Sequence, residues 1–315
     1  MTEHDTIPGL HHVTAIAAGA QANLDFYTGV LGLRLVKRTV NFDAPDTYHL
    51  YYGDTEGSPG SLLTFFPFAD AAPGRAGPGM IETTAFAIPE AALDSWMGRL
   101  ADDGYQFDGP ASRFGERLLS LRDPDGLTVE LIAEAGLEAA GAAGPAPAVP
   151  AIRHLHAVAL CVEAPERTAR LLTETFGYVA AGEEAGRRRF RAQGGARASV
   201  LDLLPQPDRM RGRMGAGTVH HVAFRARDER EQLAWRKDIV ALGFDVTPVL
   251  DRQYFKSIYF REPGGVLFEI ATDPPGFAID EGPASLGTAL KLPPWLEPQR
   301  AEIQRRLPPL RPRRE

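Results

Sequence analysis

Two histidine pairs and one glutamate carry side chains that could share a cation. His11-His12 and His220-His221 each open an apolar stretch, Val-Thr-Ala-Ile in the first and Val-Ala-Phe in the second. Glu269 stands between Phe268 and Ile270, company in which a carboxylate is costly to bury unless it is paired or bound to a cation. Neighbouring side chains of a strand point to opposite faces, so one histidine of each pair is expected to face a given cavity. Aligning the two stretches on their apolar alternation places His12 and His221 in equivalent positions. Two imidazoles and one carboxylate with open positions form a facial triad suited to iron(II) and oxygen chemistry. A lone strand histidine is more often a hydrogen-bonded structural residue, so it is the recurrence of the pairs that carries the reading. The choice within each pair rests on strand alternation, which one bulge would reverse.

The elements that must position these residues repeat along the chain. Residues 121–131 read Leu-Arg-Asp-Pro-Asp-Gly-Leu-Thr-Val-Glu-Leu and residues 260–270 read Phe-Arg-Glu-Pro-Gly-Gly-Val-Leu-Phe-Glu-Ile. Arg122, Pro124, Gly126 and Glu130 thus match Arg261, Pro263, Gly265 and Glu269. Each is a tight turn followed by an apolar strand with one acid. Upstream, Trp96 and Trp235 precede Gly104-Tyr105 and Gly243-Phe244 at the same spacing, where glycine can close a helix in the left-handed conformation. Weaker copies start at His12 and at His156, a strand that follows His154. Four units of strand, helix and several short strands fit 8–68, 80–134, 152–205 and 217–272. The fold class is therefore α+β, four units of strand, helix and short strands arranged as two pairs. The first domain spans 1–135, an Ala/Gly/Pro-rich linker 136–150, the second domain 151–272. A Pro-rich tail with one short helix, residues 295–307, runs through 273–315. Unit two offers Thr84 where unit four has His221 and retains Glu130, while unit three has His156. That constellation is one ligand short and reads as structural.

The 315 residues are 44% apolar and 24% charged, which excludes a disordered or fibrous chain. A net charge of -7 argues against broad nucleic-acid affinity, and Arg305, Arg306, Arg311, Arg313 and Arg314 read first as a solvated tail. Residues 1–9 lack the apolar core of a secretory signal, and no window is apolar for long enough to span a bilayer. A cytoplasmic protein is expected. Cys161, the single cysteine, sits in a strand-like Ala-Leu-Cys-Val setting and reads as a small hydrophobe.

Leu10 to Thr14, the segment Phe-Tyr-Thr-Gly-Val-Leu-Gly-Leu-Arg-Leu-Val-Lys-Arg-Thr-Val-Asn-Phe at 26–42, and Thr-Tyr-His-Leu-Tyr-Tyr at 47–52 resemble the vicinal oxygen chelate superfamily. Within it they are similar to ring-cleaving dioxygenases that act on hydroquinones, the group containing dichlorohydroquinone 1,2-dioxygenase. The resemblance covers essentially the whole chain and implies an α+β fold of four βαβββ modules in two domains, with curved mixed sheets around a metal cavity. It implies His12, His221 and Glu269 as iron ligands. It also implies catalytic neighbours at His11, Thr14, His220, Arg252 and Tyr259, each filled by the matching residue type. Read alone, Arg252 is a surface arginine beside Asp251, and Tyr259 is a core aromatic in Ile-Tyr-Phe.

The expected activity is a non-haem Fe(II) dioxygenase, with Mn(II) as the alternative ion, that opens a hydroquinone or catechol-like ring with O2. The expected partners are that small aromatic diol and O2, with no nucleic acid and no membrane. The sequence is compatible with a homo-oligomer. The competing readings are a glyoxalase-type metal-dependent isomerase or lyase, and a non-catalytic protein that binds small aromatics.

Overall fold

The computed structural model describes residues 6–138, 151–194 and 197–311. Most of the linker expected at 136–150, together with Arg313 and Arg314, lies outside the described residues. Each of the four units has the expected order. Unit one contains β1 (Leu10–Ala17), a helix from Ala20–Leu24 that widens into a π-helical turn over Asp25–Val30, then β2 (Arg34–Asn41), β3 (Ala44–Gly53) and β4 (Leu62–Pro67). Unit two contains β5 (Met80–Pro89), a helix over Leu93–Asp102, then β6 (Phe107–Arg113), β7 (Glu116–Arg122) and β8 (Thr128–Glu134). Unit three runs through β9 (His154–Val162), β10 (Tyr178–Glu184), β11 (Arg187–Ala192) and β12 (Val200–Pro205), with a helix at Pro165–Arg170. Unit four runs through β13 (Thr218–Ala226), a helix over Glu229–Ala241, β14 (Leu250–Asp251), β15 (Lys256–Arg261) and β16 (Leu267–Thr272).

The sheets do not follow the order of the chain. One eight-stranded sheet runs β14-β15-β16-β13-β1-β4-β3-β2 and the other β10-β11-β12-β9-β5-β8-β7-β6. Unit one therefore shares a sheet with unit four, and unit two with unit three. The stretches expected as domains, 1–135 and 151–272, therefore each place one unit in either sheet. The cause lies in two connectors, residues 68–79 and 206–217, that cross between the sheets and pair with each other. Arg75 and Arg213 exchange both backbone hydrogen bonds at 2.8 Å. The crossing is tight enough to require glycine: a Cβ on Gly215 would fall 2.4 Å from the Ala72 carbonyl oxygen, and one on Gly77 would fall 2.6 Å from the Met210 carbonyl oxygen.

The helices cover the sheet faces opposite the cavity and bury Trp96 and Trp235. Val13, Val222, Phe224, Phe268 and Ile270 point into that core, so the alternate residues of the same strands face the other way. After β16 the tail returns along unit one. The fully buried Lys37 on β2 binds Asp280 and Glu281 of the tail, each at 2.6 Å. The expected tail helix forms over Arg300–Arg306. Arg306 pairs with Glu302 on it, and the Arg311 backbone amide is bonded to Gln21.

Candidate metal centre

The central seam of the first sheet is the antiparallel pair β1 and β13, and it brings His12 and His221 together from opposite ends of the chain. Parallel pairing of β13 with β16 sets Glu269 beside Ala223, on the strand next to His221. The three side chains converge. His221 Nε2 lies 2.9 Å from Glu269 Oε2, His12 Nε2 lies 3.4 Å from the same oxygen, and the two Nε2 atoms are 3.4 Å apart. All three residues are buried.

The adjacent histidines are bulge residues. The β1–β13 register jumps between Leu10 and His12, and again between Thr14 and Ala15, whose partners are His221 and Val219. His11 and His220 are the residues skipped. A bulge re-aims a side chain, and each extra imidazole here turns back onto its neighbour. His11 Nδ1 is 2.9 Å from His12 Nδ1, and His220 Nδ1 is 2.7 Å from His221 Nδ1. His220 lines the same cavity as His221, which corrects the expectation that only one histidine of a pair could do so.

Burial drives the His11 pKa well below its ordinary value, with His12 adding to the effect, and burial with His221 pushes His220 down to about 3. Both are therefore neutral. His11 also bonds the Thr272 backbone, which leaves its Nδ1 to accept from His12 Nδ1–H. That tautomer frees the His12 Nε2 lone pair to point at the centre. Burial alone would raise the Glu269 carboxyl, but the nearby His12 and His221 hold it well below the usual carboxylate range. Ser257 Oγ donates to Oε1 over 2.5 Å, whereas Oε2 is buried with no hydrogen-bond partner. An anionic oxygen without a donor, facing two imidazole nitrogens, fits a divalent cation.

A cavity of about 400 Å³ opens in front of this group. His12, His220, His221, Arg252 and Tyr259 border it, with Phe42, Phe66, Phe68, Phe255 and Leu267 as apolar walls. The Arg252 guanidinium lies 5.5 Å above the Tyr259 ring and bonds Asp43 at 3.1 Å. Burial, reinforced by Glu269, raises the Tyr259 phenol, so its proton is retained. His11 and Thr14 stand behind the wall rather than in it. Thr14 is fully buried and bonds Thr64 at 2.8 Å. The sequence reading did not single out His49, Tyr51, Thr64 or Ser257. The first two lay in plain view in the Thr-Tyr-His-Leu-Tyr-Tyr segment.

The second sheet repeats the plan without the ligands. Register places Glu130 at the position of Glu269, but Thr83 at that of His221 and Ala157 at that of His12. Thr84 and His156, taken from the sequence as counterparts, are displaced by one residue. Glu130 is gripped through both oxygens by Arg113, at 2.7 and 2.9 Å. His156 lies between Glu134 at 3.0 Å and Glu116 at 3.3 Å.

Residues 9–131 and 154–270 match the model of the Glyoxalase/Bleomycin resistance protein/Dioxygenase superfamily. The chain belongs to this superfamily. Among its members it is 46% identical over 305 residues, 96% of either chain, to a Bacillus subtilis protein named as a ring-cleaving dioxygenase, MhqO. It is 34% identical over 310 residues, again 96% of either chain, to the chlorohydroquinone/hydroquinone 1,2-dioxygenase of Sphingobium indicum. The crystal structure of a Bacillus subtilis protein described as a dioxygenase superposes with a TM-score of 0.94 at 44% identity, covering 99% of this chain and all of that one. Glyoxalase I of Zea mays shares the fold, with a TM-score of 0.63 at 16% identity over 84% of this chain and 92% of its own. Among the described residues, no helix is long and apolar enough to cross a membrane. Cys161 is buried, and burial pushes its thiol up to about 11, as expected of a small hydrophobe.

Proposed function

We propose that this protein is a non-haem Fe(II) dioxygenase that opens the ring of a hydroquinone or a related aromatic diol. The observation that carries the reading is the buried, donor-less Oε2 of Glu269 facing the Nε2 atoms of His12 and His221. Full-length relatives named as ring-cleaving dioxygenases supply the reaction class. His12, His221 and Glu269 would hold the ion. When bound, it supplies a positive charge that favours the ionised diol, and the redox chemistry that oxygen requires.

The chain's own residues account for the rest. His11 and His220 hold the ligand imidazoles through Nδ1, which fixes their tautomers and ring planes. His220 reaches the cavity as a neutral imidazole, and with its Nδ1 accepting from His221 its Nε2–H can donate a hydrogen bond to a substrate oxygen. Arg252 sets a fixed positive charge on the wall where an oxyanion would form, and Asp43 and the Tyr259 ring hold it there. The phenylalanine walls exclude water and offer ring faces to an aromatic substrate.

Anaerobic reconstitution with Fe(II), followed by an oxygen-electrode assay on hydroquinones and catechols, tests the proposal. Oxygen uptake with a ring-opened product is the expected result. Turnover without oxygen would favour a lyase or isomerase instead, and aromatic binding without any metal a sequestering protein.

A further inference from the structure

Thr14, Thr64 and Tyr51 occupy one register row across β1, β4 and β3. His49 stands two residues before Tyr51 on the same face of β3. Their polar atoms form an unbroken chain. Thr14 Oγ1 lies 2.8 Å from Thr64 Oγ1, Thr64 Oγ1 lies 2.9 Å from His49 Nε2, and His49 Nδ1 lies 2.8 Å from the Tyr51 hydroxyl. All four residues are buried. Tyr51 and His49 border the cavity, whereas Thr14 and Thr64 form a closed end behind it.

Each link carries one proton and the four residues supply four, so one O–H is left over. If Tyr51 donated to His49 and His49 to Thr64, that O–H would belong to Thr14 or to Thr64, both fully buried, and would have no acceptor. Thr14 is fully buried, and among the described residues Thr64 is the only hydrogen-bond partner of its Oγ1. A buried donor left unmade costs the full desolvation of that group. The opposite direction pairs every donor behind the cavity wall: Thr14 to Thr64, Thr64 to His49, His49 to Tyr51. It leaves one free proton, the Tyr51 O–H, on the cavity wall. Burial holds His49 neutral, as a relay of this kind requires.

We propose that Tyr51 is a substrate-binding residue that donates its O–H to a substrate oxygen, with His49, Thr64 and Thr14 as positioning residues that fix that direction. Tyr51 stands on β3, two strands beyond β1 in the sheet order. With one diol oxygen taken by the ligand set, the oxygen left to Tyr51 is the second one, which phenol lacks. The inference rests on the aromatic-diol reading above.

The test uses Fe(II)-reconstituted protein, with anaerobic binding of hydroquinone, 4-methoxyphenol and phenol read by fluorescence quenching. Tyr51→Phe should weaken hydroquinone and 4-methoxyphenol by about tenfold, the worth of one hydrogen bond, and leave phenol within about twofold. The methoxy oxygen can accept but not donate, so it reports the direction of the chain. His49→Phe should lower the hydroquinone-to-phenol ratio by a smaller factor, and should add nothing in the Tyr51→Phe background. If Tyr51→Phe does not fold, His49→Phe carries the same readout. Iron content at the wild-type level separates these effects from damage to the centre. Equal losses for all three ligands, or a 4-methoxyphenol affinity blind to Tyr51, overturn the inference while the dioxygenase reading stands. A wild-type protein that neither binds hydroquinone nor consumes oxygen overturns both.

Discussion

Asp123, in the turn between β7 and β8, accepts a hydrogen bond from the Tyr27 hydroxyl over 3.0 Å, and so joins a turn of one sheet to a helix carried by the other. The repeat makes the same joint again. Glu262, the counterpart of Asp123, accepts from Thr168 of unit three over 2.6 Å. Each acid also closes its own turn, through Leu127 N to Asp123 Oδ1 at 2.8 Å and Val266 N to Glu262 Oε1 at 2.9 Å. The two staples sit at matching positions of units two and four and hold the two sheets together.

The first prediction concerns pH. Burial pushes the Asp123 carboxyl up to about 6, against the hydrogen bonds it accepts from Leu127, Tyr27 and Asp125. An unfolded aspartate ionises near ~3.9, so between about pH 4 and pH 6 the folded state binds more protons than the unfolded one. Stability contributed by this group therefore falls as pH rises through that window, by up to about 3 kcal/mol. Asp123→Asn cannot ionise. Urea unfolding of both proteins at several pH values should show the variant gaining on the wild type as pH rises, and a pH-independent difference would refute the assignment.

A second prediction follows from the paired imidazoles. His221→Ala removes a ligand and should abolish iron retention after reconstitution, measured by metal analysis; unchanged iron content would refute the ligand set. His11→Ala leaves all three ligands in place but frees the His12 ring. Its iron affinity, measured by chelator competition, should fall on the order of 10- to 100-fold.

Much of this was legible before any coordinates. The Arg-x-Pro-x-Gly turns and the tryptophan-to-glycine spacing marked units two and four because local turn and cap chemistry leaves a sequence trace, and the other two units showed as weaker copies of them. Glu269 was legible because an acid between Phe268 and Ile270 needs a partner. Sheet sharing was not, because it depends on crossing connectors whose matching Gly-Arg-x-Gly-x-Gly runs, 74–79 and 212–217, signal close approach but not direction. Strict alternation also failed at His11 and His220, since a bulge is set by pairing with a strand some two hundred residues away. The chain from Thr14 to Tyr51 spans three strands, and no single stretch of sequence displays it.

The tail supplies a third prediction. Lys37 has no exposed surface and pairs with two carboxylates of the tail, while its ammonium sits 5.0 Å over the Tyr254 ring. Lys37→Met would strand Glu281, whose side chain is itself buried. Removing one partner of such a buried group costs about 3 kcal/mol or more. Thermal unfolding should shift down, and limited proteolysis should cut within residues 273–311 faster than in the wild type. Equal cutting rates would mean that the tail is held by its apolar contacts alone.

The fourth prediction sets the two equivalent glutamates against each other. Glu269 and Glu130 occupy the same place in their sheets, yet one faces two imidazoles and the other a guanidinium. An arginine is a permanent cation that cannot be exchanged, so the second sheet has its charge balanced without any ion. Glu130→Gln leaves Arg113 without its carboxylate, in a site where the arginine side chain is 23% exposed and the glutamate side chain 7%. The expected cost is about 2–4 kcal/mol, somewhat less than for a fully enclosed pair. Oxygen uptake per iron should be unchanged. Glu269→Gln should do the reverse in function, losing iron and oxygen uptake together, because the amide cannot supply the anionic oxygen that balances the ion. A folded Glu130→Gln protein without activity would show that the second sheet takes part in the chemistry after all.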